Sequence, residues 1–158
     1  MFRQLILTAI AACILMQLSC APAGYQKTET EAVPSLTMAT ETWQQTSGAA
    51  LPAVDDLINQ ADAQIAMSNW DVASEKLERA LRISPDYAPA WSRMSQIALY
   101  KDDPARAIQM AKRSNSHAGK SVELKLLNWQ LIRDASEMLD DIEGVQNASK
   151  AIYILQNL

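Results

Sequence analysis

Asn69-Trp70-Asp71-Val72-Ala73-Ser74-Glu75-Lys76-Leu77-Glu78-Arg79-Ala80-Leu81 reads as one helix of a repeating pair. Large side chains at Trp70 and Leu77 alternate with small ones at Ala73 and Ala80. Bulky residues fill the space between helix pairs, and small ones let two backbones approach closely. Working outward, the same order recurs at a fixed period. Val54–Tyr87 carries Leu57, Ala61, Trp70, Ala73, Leu77, Ala80 and Pro85. Ala88–Ser121, of the same 34-residue length, carries Trp91, Met94, Ser95 and Ala98 on a first helix and Ala107, Ala111 and Ser114 on a second, with Gly119 where the closing proline would stand. Pro104, just after Asp102-Asp103, opens that second helix where its missing N–H costs little.

A period of this length marks a stack of supersecondary units, each unable to bury its apolar face alone. The third unit, 122–158, is degenerate. Strict phase from Val122 fails, whereas a start at Trp129 places Ile132, Ala135, Ser136, Leu139, Val145, Ala148, Ile152 and Leu155. That shift predicts about two additional helical turns over Val122–Asn128, and terminal repeats are expected to be atypical. The pattern resembles the tetratricopeptide repeat (TPR), whose tryptophan, small, aromatic or apolar, alanine and proline places these residues match. The resemblance covers roughly two-thirds of the chain. It implies an all-α domain over 53–158, with about three stacked hairpins in a right-handed solenoid.

Composition agrees with helices. The 158 residues include only 4 Gly and 1 Phe, while 49% are hydrophobic. The net charge is −4 and the basic residues are scattered, which leaves no electrostatic case for nucleic acid. Both cysteines, Cys13 and Cys20, precede the repeats, so a disulfide framework or CxxC metal site within them is excluded.

The first residues read as an address. Arg3 supplies one positive charge and Leu5–Met16 an apolar run broken by Thr8, the form of a secretory signal over 1–19 and too short for a comfortable membrane span. Gln17-Leu18-Ser19-Cys20 resembles a bacterial lipobox, with Gln17 departing from the usual aliphatic residue. Ile10-Ala11-Ala12-Cys13 matches it in letters, but cleavage there would leave an apolar mature end. The resemblance implies acylation of Cys20, and Ala21 in place of Asp after it implies the outer membrane, facing the periplasm. Residues 20–52, rich in Thr, Ser, Glu, Gln, Pro and Ala, read as a flexible tether spanning ~30 Å relaxed and ~100 Å stretched. Trp43, isolated within it, is either a docking residue or an anchor that folds back onto the domain.

No catalytic site, metal site or cofactor is expected. The lone His117 lies in a turn, no Cys follows Cys20, and no HExxH, Gly-rich phosphate loop or GxSxG occurs. The pairs Asp55-Asp56, Asp102-Asp103 and Asp140-Asp141 stand near predicted helix starts, where carboxylates act as caps.

In the TPR family the first helices line a concave groove that holds a partner. Carried over, its places here are Ile58, Asp62 and Ile65, then Ser92, Gln96, Leu99 and Tyr100 with Arg93 adjacent. Ile58 and Asp62 stand where one subfamily has the lysine and asparagine of a carboxylate clamp, so that clamp is not expected. A short TPR domain on a long tether resembles the lipoprotein activators of class A penicillin-binding proteins found in pseudomonads and Acinetobacter. That resemblance implies a protein partner, a peptidoglycan synthase, and no small-molecule substrate. A pilotin-like assembly factor for secretin or type IV pili is the alternative, followed by a cell-wall glycan-binding module.

Overall fold

Helix boundaries follow the turn chemistry closely in the computed structural model, which describes residues 35–47 and 51–158. The expected signal peptide, Cys20 and the first part of the tether lie outside the described residues. Among those described there are seven helices and no strands. They are α1 (Leu36–Ser47), α2 (Pro52–Ala66), α3 (Trp70–Ile83), α4 (Ala88–Tyr100), α5 (Pro104–His117), α6 (Val122–Met138) and α7 (Ile142–Gln156). The described residues all belong to one compact unit. Within it α2–α3, α4–α5 and α6–α7 are antiparallel hairpins stacked in chain order, with α5 packed on α6 and α3 on α4.

The turn inside each hairpin is the same device three times. Ser68, Asp102 and Asp140 adopt left-handed backbone with φ of 59°, 59° and 54°. The next residue in each case returns its N–H to a carbonyl five residues back, Asn69 to Gln64, Asp103 to Ala98 and Asp141 to Ser136, all at 2.9 Å. This closes the C-terminus of the first helix by the usual left-handed capping pattern. Asp103 and Asp141 then cap the following helix, accepting from Arg106 N and Gly144 N at 3.1 and 3.0 Å. Each acidic pair thus divides its labour: Asp102 and Asp140 tolerate the strained backbone, and their neighbours cap. Asp55-Asp56 behaves differently, since the residue before α2 is Leu51 and makes no side-chain cap.

The third turn is delayed. A strict repeat of the interval from Ser68 to Asp102 would put it at Ser136, and it falls at Asp140. That is one helical turn, less than the seven-residue shift implied by a start at Trp129. The extra length sits in α6, at 17 residues the longest of the described helices.

Small residues hold the hairpins together as the pattern predicts. Ala61, Ala73, Ala80, Ser95 and Ala107 are fully buried, and Ser95 Oγ donates to Ala107 O at 2.8 Å. Leu57 and Leu77 are buried among them. Trp70 and Trp91 are only half-buried, so they do not serve as central wedges. Trp70 stacks on Tyr100 at 4.4 Å and 10°. Between the second and third pairs, buried Asn128 donates to Ser114 Oγ at 2.8 Å, and Ser114 Oγ donates in turn to Ala88 O at 2.8 Å. A buried polar relay of this kind fixes how α5 and α6 face each other.

A candidate protein-binding surface with an internal occupant

The face expected to receive a partner is filled by the chain itself. Helix α1 packs against α4 and α6, the first helices of the second and third pairs, and reaches α2 through its side chains. Residues 36–47 are therefore structured rather than part of a flexible tether, which corrects the expectation for that segment of 20–52. Ser35 opens the helix by accepting from Met38 N at 3.2 Å. Ala39 and Trp43, four residues apart, lie on one stripe and are 0% and 4% exposed. Thr40 and Gln44 follow the same spacing beside them, as neighbours on a helical surface must.

Each of these side chains has a designated receiver. Trp43 meets Tyr87 edge-on at 4.8 Å and 65°, and its Nε1 donates to His117 O at 3.1 Å. Of the two readings of Trp43, folding back onto the domain is the one observed. Gln44 Nε2 donates to Asp55 Oδ1 at 2.6 Å and to Tyr87 Oη at 3.0 Å, while Tyr87 Oη donates to Asp55 Oδ1 at 2.6 Å. Burial first, and then the bond to Asp55, hold the Tyr87 phenol well above the ordinary tyrosine range, so it remains a donor. Asp55 is consequently a tertiary acceptor rather than a cap.

Arg93 is the second receiver. Its side chain is 1% exposed and grips Asp62 through two bonds, Nε to Oδ1 at 2.6 Å and Nη2 to Oδ2 at 2.7 Å. Its remaining nitrogen, Nη1, donates to Thr40 Oγ1 at 2.8 Å and Pro89 O at 3.2 Å. A buried guanidinium needs every donor engaged, and α1 supplies the missing acceptor.

The eight groove residues expected from the repeat pattern therefore divide. Ile58, Ser92 and Arg93 are buried, so they are not available on an open groove; Ile58 and Arg93 line the seam beneath α1. Asp62 is about one-third exposed but committed to Arg93. Ile65 and Leu99 are half-buried against the core, as Gln96 is half-buried on α4. Tyr100, 58% exposed, is the one that stands clear, at the far end of α4 on Trp70. Thr40, Trp43 and Gln44 belong to this site and no repeat alignment contains them. The signal available was the four-residue spacing of Ala39 with Trp43 and of Thr40 with Gln44.

His117 Nδ1 lies 3.5 Å from Asp86 Oδ1 at the surface, while its carbonyl receives Trp43. Among the described residues no group of three or more metal-ligating side chains comes together, and no helix is long and apolar enough to cross a membrane.

Three hairpins with repeated left-handed turns and small-residue contacts define a TPR-type helical-repeat domain. The chain belongs to the LpoP family. It is similar to the solved globular C-terminal domain of P. aeruginosa LpoP at 30% identity and a TM-score of 0.61, over 68% of this chain and 99% of that one. No protein-family model matches the sequence, and no curated protein does.

Proposed function

We propose that the chain is a non-enzymatic lipoprotein of the outer membrane whose periplasmic TPR-type domain binds and activates a peptidoglycan synthase, a class A penicillin-binding protein. The observation that carries this reading is the likeness to the LpoP domain, which extends over nearly all of that domain's length. Cys20 carries the lipid, and the short apolar run Leu5–Met16 directs export. Several acyl tails on one cysteine give stable anchoring, which a single chain would not. The segment between Cys20 and α1 then sets how far the domain reaches into the wall. Because α1 is bonded to the repeats, that reach is about half of what residues 20–52 would allow fully extended, ~50 Å.

The test is a crosslinking pulldown from envelopes with the full lipidated chain carrying a C-terminal tag. Recovery of a class A penicillin-binding protein supports the proposal. Recovery of a secretin or pilus component in its place moves the protein to assembly of those machines. Cys20→Ala is expected to release the chain into the soluble periplasm; unchanged membrane fractionation would reject the lipid anchor.

A further inference from the structure

With the first-helix face occupied by α1, the opposite side of α4 becomes the one to search. Trp91 lies two positions from Arg93, about 200° around the helix, and so points away from α1. It lines a groove of about 470 Å³ between α3 and α5. Leu81, Met94 and Met110 supply its apolar floor with Trp91, and the rim carries Arg82, Arg106 and Arg113 against a single acid, Glu78. Among the described residues none of these three arginines forms an ion pair, although the chain as a whole has a net charge of −4. Three of the chain's seven arginines thus line one groove.

The indole is also fixed in place. Trp91 Nε1 donates to Pro85 O at 2.8 Å, and the Arg113 guanidinium lies 4.2 Å over its ring. Stacking on an aromatic face leaves the in-plane N–H groups of a guanidinium free to take a carboxylate in bidentate fashion. Beyond Arg106 the adjoining groove turns acidic, with Glu75, Glu78 and Asp103 on it and Asp71 paired with Lys101. The sign change confines an anionic occupant to the arginine end. Aromatic, methionine and arginine side chains around a small apolar floor are the composition of protein-docking hot spots.

We infer that the groove between α3 and α5 is the docking site for an acidic segment of a partner protein that inserts an apolar residue over Trp91. The inference rests on the protein-binding reading above and deepens it by naming the surface and the chemistry of the segment. The partner's carboxylates meet Arg82, Arg106 and Arg113, and its apolar residue fills the floor between Leu81 and Met110. Exposed charges of this kind act over about 10 Å at 0.1 M salt and fade above it.

The full lipidated chain in envelopes provides the test. Gln109, exposed on α5 between Arg106 and Arg113, is replaced by the photo-crosslinker p-benzoyl-phenylalanine, and the adduct is sequenced by mass spectrometry. The expected adduct is a protein segment in which Asp and Glu outnumber Lys and Arg and an apolar residue lies among them. Its yield should fall at least tenfold in the Arg82→Glu, Arg113→Glu double variant with helical circular dichroism unchanged, and should fall likewise at 0.5 M salt. No adduct at this position, an adduct with lipid or glycan, a segment without excess acid, or persistence in the charge-reversed variant would each overturn the docking site. An acidic segment from a protein other than a class A penicillin-binding protein keeps the site and rejects the synthase reading, so the two fail separately.

Discussion

Trp43→Ala measures how α1 is held. The side chain is 4% exposed, and burying a tryptophan removes about 150–250 Å² from water, worth roughly 4–6 kcal/mol at about 25 cal/mol per Å² as an upper bound. The bond from Nε1 to His117 O adds about 1 kcal/mol. Core truncations of this type cost about 3–5 kcal/mol. Here the loss falls on a peripheral 12-residue helix rather than on the stack, so it is limited by the docking free energy of α1 itself. Amide hydrogen exchange separates the two cases, since local opening and global unfolding have different free energies. At about 1.4 kcal/mol per decade, exchange of the α1 amides should accelerate by at least ~100-fold. Amides in the middle of α4 and α5 should change by less than about tenfold. Unchanged protection over 36–47 would refute the anchoring role of Trp43. Equal loss of protection in α1 and α5 would refute the view that α1 docks on a stack able to stand without it.

Three further outcomes follow from the same contacts. Arg93→Ala should cost roughly 3 kcal/mol in chemical denaturation, because it leaves Asp62 and Thr40 without their donor; combining Arg93→Met with Asp62→Leu should recover most of that loss. Ala107→Glu puts a carboxylate into a fully buried contact with Ser95, should cost about 4 kcal/mol or more, and should abolish cooperative melting of the helical signal. The raised ionisation of Tyr87 has a defined sign. Its contribution is fully present below the unfolded tyrosine value of about 10 and is lost as pH rises above it towards the folded value. Stability of the native chain should therefore fall from about pH 10 upward more steeply than that of Tyr87→Phe, and parallel slopes in urea titrations at pH 9 and 11 would contradict this.

The hairpins were legible because their signal is redundant. Ala61, Ala73, Ser95 and Ala107 recur at fixed spacing, and a small residue at a helix crossing tolerates little substitution of kind. The turns were legible for the same reason, although which aspartate of a pair caps and which bends was not: that depends on backbone angles, not on residue type. The accessibility of the groove was not legible. Its occupant, α1, lies outside the repeat and hides its apolar stripe among Thr, Glu and Gln, so that composition over the segment resembles a disordered chain. Only three of its residues are buried, Ala39, Thr40 and Trp43, and just two of these are apolar. Arg93 could be placed next to the groove from sequence, but its burial could not, since it requires Asp62 from one pair and Thr40 from α1 at once. Trp70 and Trp91 occupy the places expected for them yet remain half-exposed. A tryptophan at a repeat position reports where a side chain starts, not which surface it ends on.

The most direct measurement of the functional account is glycan-strand synthesis by a purified class A penicillin-binding protein with and without the full lipidated chain, both in detergent. The account predicts a several-fold rise in the rate of polymerisation that saturates with the chain and disappears in the Arg82→Glu, Arg113→Glu variant. An unchanged rate, with both proteins folded and the synthase active alone, would contradict it.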